Sequence, residues 1–310
     1  MLLSRMHYVV DCLTKRKYRL ERVKSACYNR TMVIDFHTHV FSPRIKENIE
    51  TYVRKDPLLA MLYSSPRAKI ATADELIESM DRDRVDVSVI LNGGWTSHEL
   101  CIETNDYIME SVARYPKRLV GFCTAPLQST KTAIAEIERC IRGGVKGVGE
   151  IRLDTQSFDP DELLPVIEVI REHNLILLTH ASEPVGHHYA GKGKTTPDLL
   201  YTLITAYPDV THVLAHWGGG LPFYALMPEV KEAMRNVYFD SAASPFLYVP
   251  DIYKRVSELV GVDKILFGTD YPLLAQRRLL EEIDSLNMPT ETREQILSGN
   301  ARRLLGITGD

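Results

Sequence analysis

The sequence predicts an α/β fold, a (β/α)8 TIM-like barrel preceded by an N-terminal extension. Three observations carry this expectation. From Met32 onward, short β-branched runs alternate with amphipathic stretches at helical spacing, the pattern of parallel strands joined by crossover helices. Eight such runs are present, the number that closes a barrel. The first run leads into His37-Thr38-His39, where an open doubly wound sheet would carry a glycine-rich phosphate turn.

The strands are expected in order over Val33–Phe36, Val85–Leu91, Leu119–Cys123, Val145–Gly149, Leu175–Thr179, Thr211–Leu214, Val237–Phe239 and Ile265–Phe267. Each is rich in Val, Ile, Leu or Phe and bounded by polar or turn residues. Between them, Thr72 to Met80 and Asn105 to Arg114 read as helices. Ala133, Ile134, Ile137 and Ile141 form an apolar stripe closed by Gly143-Gly144, as at a helix C-terminus. Asp159-Pro160 supplies an N-cap with proline at the first helical position, followed by Leu164, Ile167 and Ile170. Leu199 to Ala206, Ile252 to Val260 and a last helix from Thr292 to Leu305 complete the series. No low-complexity linker divides residues 32–310, which are expected to form one domain.

Composition narrows the function. The 310 residues are 45% hydrophobic and 25% charged, ordinary values for a globular chain. No apolar run is long enough to cross a membrane. A net charge of −4 argues against general nucleic-acid binding. That total is uneven: residues 1–31 hold eight basic residues against Asp11 and Glu21, leaving the remainder with 29 basic and 39 acidic residues. Residues 1–31 lack the apolar stretch of a secretory signal and read as a basic extension outside the barrel, with residues 32–310 as the catalytic unit. Five cysteines, an odd number with no CxxC spacing, argue against a disulfide framework or a thiolate zinc site and fit a reducing cytoplasm.

The chemistry gathers at the C-terminal ends of the strands, which in a barrel converge on one face. Strand one ends in His37-Thr38-His39, and the fourth in Glu150-Ile151-Arg152. The fifth gives His180, the sixth His216-Trp217 and the eighth Asp270. His37 and His39 are two apart on a strand, so both face the interior. With His180 and a carboxylate they form a nitrogen–oxygen set suited to zinc or a similar divalent ion. Asp270 is placed to ligate and to carry a proton. Glu150 is a candidate bridge to a second ion, and His216 either ligates that ion or acts as a free base. Singly, each residue has a bland reading, as core histidine, helix cap or surface pair; their common placement at strand ends argues for a site.

Met32-Val-Ile-Asp-Phe-His-Thr-His39, Ala215-His-Trp-Gly-Gly-Gly220 and Phe267-Gly-Thr-Asp-Tyr-Pro272 resemble the amidohydrolase-related branch of the metal-dependent amidohydrolase superfamily. The resemblance runs from Met32 to the last helix. It implies a TIM-like barrel with one or two divalent metals, zinc first among them, held by His37, His39, His180 and Asp270, with His216 as the catalytic or second-metal histidine. Many binuclear relatives place a carboxylated lysine where this chain has Glu150. The branch contains hydrolases and non-oxidative decarboxylases, both of which use the strand-eight aspartate as proton carrier.

Other residues read as substrate contacts. The loop Gly186 to Thr195 offers His187 and Lys192 to an anionic group, and falls short of a nucleotide-binding loop because Gly193 follows Lys192. Arg152 can clamp a carboxylate or pair with Asp154. Trp95 and Trp217 can wall a pocket, while Asp240 reads as a supporting or capping group. The expectation is a cytoplasmic metal-dependent hydrolase of a small, anionic amide, ester or lactone, with Asp270 and His216 catalytic. The alternatives are a metal-dependent decarboxylase of a small carboxylic acid and a non-catalytic barrel scaffold. A small-molecule substrate is the expected partner, with no nucleic acid, no membrane and a homodimer left open.

Overall fold

The computed structural model describes residues 31–153 and 159–308. The basic extension, apart from its last residue, and Asp154 lie outside the described residues. Eight parallel strands follow one another around a single sheet: β1 (Ile34–His39), β2 (Val87–Leu91), β3 (Leu119–Cys123), β4 (Gly147–Ile151), β5 (Ile176–Thr179), β6 (Thr211–Leu214), β7 (Val237–Asp240) and β8 (Ile265–Leu266). The last strand returns to the first, where Phe36 N donates to Phe267 O at 2.7 Å and His39 N to Tyr271 O at 2.7 Å. The TIM-like barrel expected from the alternating pattern is therefore present.

The main crossover helices are α1 (Ala73–Asp83), α2 (His98–Arg114), α3 (Thr130–Arg142), α4 (Pro160–Glu172), α5 (Pro197–Ala206), α6 (Pro228–Ala233), α7 (Ile252–Val260) and α8 (Gln276–Ser285), and the chain continues into α9 (Asn300–Leu305). Local sequence explains their starts. Thr72 and Glu75 form a reciprocal capping box at α1, and the Ser97 side chain accepts from Leu100 N at α2. Asp159 caps α4 with Pro160 behind it, as the sequence predicts. Such caps are each worth about 1 kcal/mol. Ala133, Ile137 and Cys140 of α3 share one buried cluster with Val166, Ile167 and Ile170 of α4.

Two departures matter. β1 runs on through His39 instead of stopping at Phe36, because its end still finds a partner in the β8 loop: Thr38 bridges Tyr271. The last helix is not uniform. Thr290–Glu294 leads into a π-helical turn, Gln295–Gly299, before α9. Within that turn Ile296 O accepts from Phe267 N at 3.1 Å, so the widened turn fastens the final helix to the barrel closure.

Residues between β1 and α1 fold into short helices, Pro43–Glu47, Ile49–Tyr52 and Pro57–Tyr63, that the sequence reading did not anticipate. Buried Asp56 holds them in place. Its Oδ1 accepts from Leu59 N, while Oδ2 accepts from Thr96 N, Thr96 Oγ1 and Ser97 N at 2.7–3.0 Å. No helix among the described residues is long and apolar enough to cross a membrane.

Candidate metal centre

The ends of β1, β4, β5, β6 and β8 meet, and the side chains they carry converge. His37 Nε2 lies 3.1 Å from His39 Nε2, and His39 Nε2 lies 3.1 Å from Asp270 Oδ1. Glu150 faces the other way: its Oε1 is 2.7 Å from His180 Nδ1 and 3.4 Å from His216 Nε2, with Oε2 4.0 Å from His39 Nε2. His37, His39 and Glu150 form one tight group, and Glu150, His180 and His216 a second that shares the glutamate.

Backbone irregularities aim these groups. Register shifts interrupt β1 between Asp35 and Thr38 and β4 between Val148 and Ile151, bracketing His37 and Glu150. Gly149 lets β4 pass close to β5; a Cβ there would sit 2.6 Å from Leu178 O. After β6 the chain makes a left-handed turn through His216 (φ 55°), Trp217 (φ 58°) and three glycines. Gly219 is pressed against Ser182, whose carbonyl oxygen would lie 2.5 Å from an added Cβ. Asp270 also sits at positive φ, 65°, with its N–H donating to His37 O at 2.9 Å.

The distal ring nitrogens are committed elsewhere. His37 Nδ1 is 2.8 Å from Asp240 Oδ2 and His216 Nδ1 is 3.0 Å from Ala242 O, so each Nδ1–H donates outward. Once the second ring proton of each gives way to a cation, both Nε2 lone pairs face the centre, the tautomer a metal ligand needs. His180 Nε2 meets Ser182 Oγ at 3.1 Å, leaving its Nδ1 turned inward.

Electrostatics agree. Burial would lower the His37 imidazole, but Asp240, then Glu150 and Asp270, push it up to about 10. Burial likewise opposes His216, which Glu150 and Asp270 raise to about 9. His180 goes the other way, to about 4, through burial and the nearby Arg152 charge. Burial would raise Glu150, yet His180, His216 and His37 hold it well below the ordinary carboxylate range; His39 and His37 lower Asp270 in the same way. Protons on buried imidazoles thus neutralise buried carboxylates where a cation would do so. Two triads that share Glu150, with Asp270 beside His39 and the outer nitrogens of His37 and His216 already committed, fit a divalent metal ion.

A cavity of about 430 Å³ opens on this centre. Leu62, Tyr63, Trp95 and Phe246 give it apolar walls; Arg152 and His187 also line it. Arg152 is 2% exposed and its Nη2 donates to Gly191 O at 2.7 Å, so it braces the β5 loop as well as facing the cavity. Two expected substrate contacts are corrected. Trp217 does not line the cavity. The left-handed turn sends its indole outward into the core, edge-on to Tyr253 at 4.9 Å, with Nε1 donating to Ser244 Oγ at 3.0 Å. Lys192 is likewise absent from the lining, because its Nζ donates to Val185 O and His187 O and closes the loop on itself.

The sequence reading missed Asp35. It is fully buried two residues before His37, with Oδ1 accepting from Thr269 N at 3.0 Å and Oδ2 from Thr269 Oγ1 at 2.6 Å and Gln276 Nε2 at 2.8 Å. It steadies the turn that presents Asp270. Its signal was available: Asp35, His37 and His39 share the period of one strand face.

A family model for amidohydrolases matches residues 34–307. The chain is 24% identical to the 2-amino-3-carboxymuconate-6-semialdehyde decarboxylase of Dictyostelium discoideum, an alignment covering 90% of this chain and 92% of that protein. Among solved structures, 5-carboxyvanillate decarboxylase from Sphingomonas paucimobilis superposes with a TM-score of 0.72 at 19% identity, covering 90% of this chain and 100% of that one. A dihydroxybenzoic acid decarboxylase from Polaromonas sp. JS666, solved with manganese and an inhibitor, gives 0.71 at 19% identity, covering 91% and 98%. These superpositions agree with the barrel, and the family model spans it from the first strand to the final helix. The chain belongs to the amidohydrolase family.

Proposed function

We propose that the protein is a divalent-metal-dependent, non-oxidative decarboxylase of a small carboxylic acid with a flat, unsaturated body. The observation that carries this reading is the cavity: apolar and aromatic walls open directly onto the carboxylate–imidazole centre, and Arg152 is the buried cation beside it. The decarboxylases among the relatives support it over the hydrolase expected first. Hydrolysis is the second reading, favoured by Glu150, which belongs to both ligand groups and suits a bridged pair of ions.

His37, His39, Glu150, His180 and Asp270, with His216 beside them, would hold one or two ions. When bound, a divalent ion supplies Lewis-acid stabilisation of anionic charge next to the bond that breaks. The chain does the rest. The cavity walls hold the substrate plane and exclude water. The C–C bond to the carboxylate breaks, carbon dioxide leaves, and the electron pair left on carbon takes a proton. Asp270 carries that proton. It rests ionised, since His39 and His37 hold it below the usual range, so it first takes a proton from water or a substrate hydroxyl and then delivers it to carbon. His216, which also lines the cavity, supports the negative charge that develops.

Protein loaded with manganese or zinc should be offered hydroxybenzoic acids and, separately, small lactones. Headspace carbon dioxide that matches acid consumed supports decarboxylation. Acid release from lactones without carbon dioxide from any acid overturns it in favour of hydrolysis.

A further inference from the structure

Asp240 ends β7 with a side chain that is fully buried and touches two other strands' functional groups at once. Its Oδ2 faces His37 Nδ1 at 2.8 Å. Its Oδ1 accepts from His216 N at 2.9 Å and Ala242 N at 3.0 Å. Ala242 in turn offers the carbonyl that receives His216 Nδ1. Gly268 makes the approach feasible, because a Cβ there would lie 3.0 Å from His37 Cβ and 3.3 Å from Asp240 Cβ.

We propose that Asp240 is the positioning residue of the centre: one carboxylate sets which nitrogen of His37 carries hydrogen and fixes the turn that presents His216. Both backbone donors on Oδ1 are obligatory, since a peptide N–H cannot accept a hydrogen bond. Only a group that accepts at both oxygens can satisfy them and also receive Nδ1–H of His37. Aspartate meets that requirement and asparagine, of the same shape, does not. In Asp240→Asn the amide oxygen stays with the two backbone N–H groups, because the opposite rotamer would set an NH2 against both. The NH2 then faces His37 Nδ1 and forces it to accept. The ring hydrogen moves to Nε2, the atom that must be bare to bind a metal. The same bonds hold His216 at φ 55°, a conformation costly for a residue with a side chain.

The proposal rests on His37 and His216 as ligands and is independent of whether the reaction is decarboxylation or hydrolysis. The test uses full-length protein labelled with 15N-histidine and stripped of metal. In the wild type the His37 Nδ1 resonance should show attached hydrogen; in Asp240→Asn it should be bare, with hydrogen on Nε2. Calorimetric titration with zinc or manganese should show affinity for the variant at least tenfold weaker, with far-ultraviolet circular dichroism unchanged. A bare Nδ1 in the wild type overturns the proposal without any variant, so a misfolded Asp240→Asn cannot shelter it. Affinity within threefold of wild type also overturns it, as does weakened binding with Nδ1 still protonated, which would mark a merely structural role.

Discussion

His212 and His216 lie four residues apart around one strand, β6, both buried, and they meet opposite fates. His212 sits at the N-terminal end of the barrel, where its Nε2 donates to Tyr207 O at 3.0 Å and Nδ1 has no partner among the described residues. Burial lowers it to about 4. His216 sits at the C-terminal end, where Glu150 and Asp270 outweigh the same burial and raise it to about 9. Burial is common to both: at His212 it outweighs the pull of Asp209, whereas at His216 the carboxylates win. One end of the barrel therefore stores a neutral imidazole that resists charging, and the other a charged cluster ready to exchange protons for a cation. Positive φ occurs at both ends, since Arg84 and Asn174 adopt it on the way into β2 and β5, but at the C-terminal end His216, Trp217, Ala243 and Asp270 adopt it in the loops that carry the site. Such residues cost about 1–3 kcal/mol each and persist because surrounding bonds over-determine them.

The strongest way to break the comparison is at the charged end. Asp270→Asn should lower turnover by roughly 100- to 10,000-fold, the usual contribution of a positioned proton carrier, while most metal stays bound by elemental analysis. Full activity would remove Asp270 from the mechanism. Glu150→Gln should disturb both ligand groups together and weaken metal binding by at least about tenfold, read by calorimetry. If only half of the bound metal is lost, the two groups act independently.

Acidity sharpens the contrast between His212 and the raised pair His37 and His216, which respond with opposite sign, while His180 at the charged end is lowered like His212. For His212 the folded value lies below the ordinary 6.5, so the unfolded chain takes the proton first and stability falls as the pH drops from 6.5 toward about 4. The loss is on the order of 3 kcal/mol at most. His212→Leu should flatten that slope in urea midpoints measured at pH 7 and pH 5. His37 and His216 are raised, so the stability they add to metal-free protein is complete below about 6.5 and is lost as pH rises through about 9 and 10. Metal loading should abolish the alkaline slope and steepen the acid one, because protons then compete with the ion for the same ligands. The smallest effect is expected at Trp217→Phe, which loses only the bond to Ser244 and some contact, about 1 kcal/mol by thermal unfolding. Larger loss of activity than of stability there would restore Trp217 as a wall of the cavity.

Much of this was legible in the chain. Alternation of short apolar runs with helical stripes disclosed the barrel, and strand-end positions disclosed His37, His39, Glu150, His180, His216 and Asp270 as neighbours. What escaped depended on geometry that period and composition do not encode. Trp217 follows His216, yet a left-handed turn rather than continued strand separates them, so the indole points away. Lys192 bears a charge that reads as free in sequence but is spent on its own loop's carbonyls. The short helices after β1 hide because Asp56 anchors them through Thr96 and Ser97, about 40 positions away. Glu150 belongs to both ligand groups, yet a glutamate that completes a ligand set does not specify which bond the set will break.

The bonds from Asp35 to Thr269 and Gln276 span 234 and 241 positions of chain. They impose an order on assembly. A growing polypeptide that has emitted β1 through β7 already carries every histidine of the centre, yet lacks both Asp270 and the segment that seals β1. Loop-closure entropy makes such a distant contact slow to form. High-affinity metal capture is accordingly a late event, following synthesis of the eighth unit, and refolding watched by tryptophan fluorescence should precede the gain of tight metal binding.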